Sequence, residues 1–202
     1  GLNSYDMKIG FFYGVVRALS GYGNIVSNTY SNGRGVIVFD KDITAISEYA
    51  FYNCSSLTSV VIGDSVTSIG DRAFKDCDSL TSVVIGDSVT SIGNDAFYYC
   101  DSLTSITVGE NNTVYQSIDG NLYSKDGSIL IQYAIGKTAT SFTIPESVTS
   151  IGERAFAGCK YLRTITIPKK SQLTKIKEKA FINCESLTSI TIPEGVTSIG
   201  EE

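Results

Sequence analysis

The 202-residue chain has no histidine and no tryptophan, one methionine and only three prolines. Without histidine it holds no imidazole base, no Ser-His-Asp or Cys-His machinery and no histidine-ligated zinc. Positive charge is also in short supply: 16 Lys and Arg stand against 21 Asp and Glu, a net charge of −5. That balance argues against a nucleic-acid partner, which needs clustered cations. No apolar run approaches the roughly 18 residues of a membrane span. No Gly-rich phosphate loop of the G-x-x-x-x-G-K-[S/T] type occurs. What remains is 42% hydrophobic and only 18% charged, a composition that buries a core.

The five cysteines turn out to count something. The pairs Ala50-Phe51, Ala73-Phe74, Ala96-Phe97, Ala155-Phe156 and Ala180-Phe181 are spaced 23, 23, 59 and 25 residues apart. Cys54, Cys77, Cys100, Cys159 and Cys184 keep step, as do Leu57, Leu80, Leu103, Leu162 and Leu187. Upstream, Ile46, Ile69, Ile92, Ile151, Ile176 and Ile199 add a sixth, unfinished unit. The chain is a repeat protein, with 36 extra residues inside the long spacing and two more near Lys169-Lys170.

Within a unit such as GDSVTSIGDRAFKDCDSLTSVVI (63–85), β-branched alternation in the last six residues predicts a short strand. Gly-Asp turns the chain, Val66–Ile69 forms a second extended piece, and DRAFKDC is expected as one or two helical turns with Phe74 and Cys77 as i, i+3 neighbours. Val66, Ile69, Ala73, Phe74, Cys77, Leu80, Val83 and Ile85 then face inward. One unit cannot cover eight such side chains. Stacked at about 4.8 Å per strand, successive units cover one another as a solenoid.

The phrase VTSIGxxAFxxCxxLTSVxI resembles the bacterial BspA-type leucine-rich repeat, over residues 43–108 and 145–202. It departs from the commoner L-x-x-L-x-L-x-x-N/C-x-L signature, because Ser65 stands eight after Leu57 and the cysteine precedes the strand. The resemblance implies an α/β, β-rich solenoid of about six strand-turn-short-helix units of 23 residues, too few for a closed horseshoe. The whole chain is then one domain. Residues 1–42 lack the pattern and are expected to cap the open end, with Val36–Val38 in a strand. Met7-Lys8 followed by Ile9–Val16 offers a secretory-signal remnant as the rival reading, but Arg17 closes that apolar run early. The 109–144 insertion reads as a β-hairpin with turns at Asp119-Gly120 and Asp126-Gly127, packed on the solenoid and continuing its stack. The chain stops at Gly200-Glu201-Glu202, partway through a unit, which suggests a truncated chain or an open edge available for pairing.

Candidate chemistry is sparse. The cysteine period places the thiols in one inward column as small apolar fillers, with parallel Cβ vectors too wide for disulfides. Asp64, Asp87, Glu146 and Glu194 recur at one turn. Repetition gives them the same solvated surroundings, which suits neither an acid–base pair nor an EF-hand. Asn111-Asn112-Thr113 is a glycosylation sequon for a eukaryotic host. No cofactor or metal motif is present, and an enzyme is not expected.

The outward strand positions are rows of Thr, Ser and Val, flat and nearly uncharged. Arg163 is their one charged outlier. Thr107, Thr166 and Thr191 share one outward column, and Tyr161 lies beside Arg163. These five are the candidate partner-binding residues, since Tyr and Arg dominate hot spots. Tyr49, Tyr52, Tyr98 and Tyr99 make a rival aromatic patch at the turns. The resemblance implies a non-catalytic adhesion module, secreted or on a bacterial surface, binding an extracellular or host matrix protein or another cell-surface protein. The alternatives are a structural spacer that self-associates edge to edge, and a glycan-binding module.

Overall fold

A computed structural model describes residues 25–31, 34–39 and 42–201, the first two segments as backbone strands. The suggested signal remnant at 7–16 lies outside the described residues. Strands β1 (Ile25–Ser31) and β2 (Arg34–Phe39) form an antiparallel hairpin with Ser31 opposite Arg34, and β2 includes the strand expected at Val36–Val38.

From there the chain winds as a β-solenoid. Three rungs come first. Each opens with a two-residue strand, β3 (Ala45–Ile46), and closes with a four-residue one, β4 (Ser59–Ile62); β5 (Ser68–Ile69) with β6 (Ser82–Ile85), and β7 (Ser91–Ile92) with β8 (Ser105–Val108), repeat the scheme. The opening strands pair in parallel as β3-β5-β7 and the closing strands as β4-β6-β8. Equivalent residues sit opposite one another, Ile69 on Ile92 and Val60 on Val83. All eight residues expected to face inward, from Val66 to Ile85, are buried.

The expected short helices are not there: among the described residues no helix forms. Between Gly70 and Leu80 the N–H groups alternate. Ala73 and Lys75 donate back to Gly70 and Arg72, while Arg72, Phe74 and Asp76 donate across to Asn94, Ala96 and Tyr98 of the next rung. A helix satisfies its N–H groups internally at i−4; here half of them serve a neighbour, so the segment is a ladder of turns. The alternation needs two left-handed residues per rung. They are Tyr49, Arg72, Asp95, Arg154 and Lys179 in one column and Asn53, Asp76, Tyr99, Gly158 and Asn183 in the other.

Other side chains knit the rungs together. The glycine closing each V-T-S-I-G corner is required by proximity: a Cβ on Gly70 would meet Glu48 N at 2.4 Å, and on Gly93 Asp71 N at 2.4 Å. Thr67 sends both its N–H (2.8 Å) and its hydroxyl (3.0 Å) to the Thr44 carbonyl one rung back; Thr81, Thr104 and Thr188 do the same on the closing strands. Asp64 and Asp87, read in the sequence as solvated, accept N–H groups of the following turn, from Asp87 (2.9 Å) and Asn111 (3.2 Å). Glu146 and Glu194 are exposed.

The insertion makes four strands, not one hairpin. β9 (Tyr115–Ile118), β10 (Asn121–Ser124) and β11 (Ile129–Gln132) form an antiparallel meander, its turns at the two Asp-Gly pairs. β11 then pairs in parallel with β13 (Ser150–Ile151), and β12 (Ser141–Thr143) with β14 (Thr164–Thr166). Residues 128–144 are therefore a shortened rung, with Leu130 opposite Ile151 and Phe142 opposite Ile165. β15 (Lys175–Ile176), β16 (Ser189–Ile190) and β17 (Ser198–Ile199) extend the two sheets to β11-β13-β15-β17 and β12-β14-β16, giving about seven turns in all.

The core follows this division. Phe51, Phe74 and Phe97 stack with centroids 4.9 and 5.6 Å apart. A second stack runs through Tyr133, Phe156 and Phe181 at 5.2 and 5.3 Å. Two hydrophobic clusters result, one built on the first three rungs and one on the last four.

Candidate functional site

The closing-strand face is the flat surface expected from the sequence, in two pieces. Its outward column is Val61, 77% exposed, then Val84 and Thr107 on one sheet. Thr143 and Thr166 continue it on the other, and the exposed Thr191 follows directly after β16, outside the sheet. Thr107 therefore belongs to β4-β6-β8 and does not share a sheet with Thr166. The physical reason is the insertion: beside β8, Ile106 N–H donates to the Gly120 carbonyl of the β9–β10 turn instead of to a closing strand. Arg163 and Tyr161 are both exposed, immediately before β14. Arg163 occupies the stapling-threonine column, its N–H bonded to Thr140 O and its own carbonyl accepting from Thr188. Because the threonine hydroxyls of that column point to backbone, Arg163 brings the only formal charge to it.

The tyrosine patch is assembled on the turn ladder. Tyr49 and Tyr52, 41% and 43% exposed, meet edge to face at 5.6 Å. Lys75 Nζ lies 5.9 Å from the Tyr52 ring and 5.4 Å from that of Tyr98, and Tyr98 packs on Tyr99 at 4.0 Å. Arg72 donates to the Tyr49 hydroxyl at 2.9 Å, and Asn183 to that of Tyr99 at 2.7 Å. A bulky residue in the left-handed region is uncommon, and both Tyr49 and Tyr99 are held there.

Sequence reasoning missed the polar seam where the insertion leaves the third rung. The Asp95 carboxylate, 6% exposed, bridges Arg72 at 3.4 Å and Arg154 at 3.2 Å, linking the second, third and fourth full repeats. Asn112 is wholly buried. It donates to Gly86 O and Val89 O and accepts from the N–H groups of Val114 and Tyr115, all at 2.8–2.9 Å. Its sequon neighbour Asn111 is exposed, bonded to Asp87.

All five thiols are free, and four are buried. Cys77, Cys100 and Cys184 donate to the phenylalanine carbonyl one repeat back, at 3.1 Å each. Burial pushes the Cys54 thiol up to about 12, and likewise the Tyr123 and Tyr133 hydroxyls. The native state thus holds protons that the unfolded chain releases from about pH 9 upward. Stability is expected to be flat to pH 8 and to fall between about 9 and 12, checked by melting curves across that range. A thiol reagent at pH 8 should label five cysteines in denaturant but react slowly in the native protein with Cys54, Cys77, Cys100 and Cys159; fast native labelling of these four contradicts the buried placement.

Among the described residues, no group of three or more Cys, Asp or Glu converges as a metal site. Neither face brings a nucleophile, base and oxyanion donor together. What both offer is extended, rigid contact area.

Comparison with curated proteins gives no match. Solved structures do. A leucine-rich repeat protein from Eubacterium ventriosum aligns with TM-score 0.61 and 31% identity over 78% of this chain and 54% of its own. A leucine rich cell surface protein from Faecalibacterium prausnitzii gives 0.53 and 31%, over 77% and 53%. The pneumococcal vaccine antigen PcpA gives 0.64 at 22% identity, over 78% and 50%, a likeness of fold. The chain spans about half the length of these proteins. The sequence also matches the BspA type leucine rich repeat region, in six copies, over residues 25–130 and 132–202. Repeat letters, rung register and relatives agree, and the chain belongs to the BspA-type leucine-rich repeat family.

Proposed function

We propose that the chain is a non-catalytic protein-binding module of a bacterial surface or secreted protein, which docks an extracellular partner on its closing-strand sheets. The observation that carries this reading is the pair of exposed, nearly uncharged rows, Val61 to Thr107 on one sheet and Thr143 to Thr191 along the other, with Tyr161 and Arg163 standing at the edge of the second. A rigid face of this kind gathers many weak contacts, with an aromatic and an arginine as anchors. Its family consists of repeat proteins that generally mediate protein interactions, and one relative is described as a cell surface protein.

The test is capture of the purified chain on immobilised fibronectin, laminin and collagen, with matched circular dichroism. Arg163→Glu combined with Tyr161→Ala is expected to lower capture at least tenfold while leaving the spectrum unchanged. Capture that survives this pair but is lost in Tyr52→Ala with Tyr98→Ala moves the site to the tyrosine patch. If the latter pair also removes signal from a glycan array, the glycan-binding reading gains. No capture by any surface, together with concentration-dependent self-association, overturns the proposal in favour of a spacer.

A further inference from the structure

The ladder that joins neighbouring rungs stops in the interior of the solenoid. Phe51 donates to Ala73 O, Phe74 to Ala96 O and Phe156 to Ala180 O, and the N–H groups two residues before each do likewise. Among the described residues, the corresponding N–H groups of the third rung, Asp95 and Phe97, have no backbone acceptor. The opening strands show the same break. Gly70, Gly93, Gly152 and Gly200 donate to the isoleucine or leucine carbonyl one rung back, but among the described residues no later rung donates to Ile92 O, and β7 pairs only with β5. The meander takes β11 into partnership with β10 and β13, which leaves β7 as an edge strand.

Beside that edge is a cleft of about 300 Å³, its apolar floor made by Ile92, Phe97, Leu122 and Ile131, its rim by Tyr115 and Gln132 among others. The Tyr115 hydroxyl stands 3.5 Å from Thr90 O, a single side-chain substitute for a missing rung. Asp95, also on the rim, is neutralised by Arg72 and Arg154. Glu153 and Lys177 on the same rim are of opposite sign.

We propose that the β7 edge is a strand-addition site, taking an extended, uncharged segment of a partner polypeptide with β-branched residues at alternate positions. The unmet groups are a carbonyl and N–H groups in sequence along one edge, and a polypeptide backbone is the chemistry that supplies the matching donor and acceptors. The floor accepts every second side chain of such a segment. The balanced rim selects no charge. Elsewhere in the molecule, a Ser-Ile-Gly segment fills this position against the preceding rung. The site lies apart from the Arg163 face and does not depend on it.

The probe is a fluorescein-labelled, end-capped synthetic peptide of residues 65–70, SVTSIG, uncharged in its side chains and with β-branched Thr67 and Ile69 at alternate positions, titrated by anisotropy against the full chain. Saturable binding is expected, with none for a scrambled peptide, and with new hydrogen-exchange protection at the Asp95 and Phe97 amides. Gln132→Trp, which fills the cleft, should weaken binding at least tenfold. Tyr115→Phe removes the competing hydroxyl and should tighten it, an opposite effect that a damaged fold would not give. Arg163→Glu should leave it unchanged, so this site and the sheet-face reading fail separately. Binding that survives Gln132→Trp, or protection appearing at β16–β17 instead, overturns the proposal. So does a dimer in sedimentation that Gln132→Trp abolishes, because the edge then belongs to a second copy of this chain.

Discussion

Phe156→Ala should lower stability by about 3–5 kcal/mol, one of the two largest losses expected from a single substitution in this chain. Phe156 is fully buried, and it is the middle of the second aromatic stack, with Tyr133 on one side, Phe181 on the other and Phe142 at 5.8 Å. Truncation removes the ring from three aromatic neighbours at once and leaves a cavity that the flanking backbone ladder cannot close. For a chain of this size, the melting midpoint should fall by about 10 °C. Phe181→Ala, at a partly exposed position, should cost clearly less. Because the aromatic stacks are separate, hydrogen exchange should quicken in residues 128–201 before it quickens in 45–108. An unchanged midpoint, or uniform loss of protection, would contradict a divided core. The Arg163 sheet rests on this stack, so capture through that face should weaken together with its stability.

The second large effect is at Asn112. Asn112→Ala leaves two carbonyls and two N–H groups without their partner in a site closed to water. The expected loss is about 3 kcal/mol, since unmet buried groups each cost about 1 kcal/mol or more and some regain water through relaxation. Asn112→Asp separates shape from hydrogen bonding. The carboxylate keeps the two accepted bonds but faces the Gly86 and Val89 carbonyls with no hydrogen to offer, so its folded pKa must rise. A raised pKa adds stability below the unfolded value and loses it as pH climbs through the folded one. The deficit against wild type is therefore full at pH 7 and smaller below about pH 4, where the group is protonated. Denaturant titrations at both pH values measure it; equal stability of Asn112→Asp and wild type at pH 7 would show that the two bonds donated to Gly86 O and Val89 O are not formed.

Much of this fold was legible because its letters are copied. A column of Ala-Phe-x-x-Cys can be aligned by eye, and inward direction follows from alternation, so the buried set from Val66 to Ile85 could be named in advance. The turn segment misled because Phe74 and Cys77 satisfy an i, i+3 pattern in a helix and in a turn ladder alike. A signal was present: the position between Phe and Cys reads Asn53, Asp76, Tyr99, Gly158 and Asn183, mostly residues that tolerate the left-handed region. The shortened rung hid because Tyr133 stands for Phe and its cysteine is gone. Comparing ATSFTIP (139–145) with LRTITIP (162–168) exposes it. The candidate site was legible only as a face. Arg163 and Tyr161 stood out as exceptions to a pattern, but the division between Thr107 and Thr166 depends on where a meander leaves the stack. The open edge of β7 is an absence of bonds, and no residue type marks an absence.

The stapling bonds share a direction. Thr67, Cys77, Thr81, Thr104 and Thr188 all donate from the later rung to a carbonyl of the earlier one, and Asp64 accepts from the turn that follows it. Every completed rung thus presents, on its C-terminal side, carbonyl and carboxylate acceptors for its successor's side chains and turn, beside the turn-ladder N–H donors that its successor's carbonyls accept. A unit duplicated in the gene and inserted downstream meets a surface already shaped for it, and brings the same surface for the next. Lengthening such a chain requires no new complementarity, only another copy.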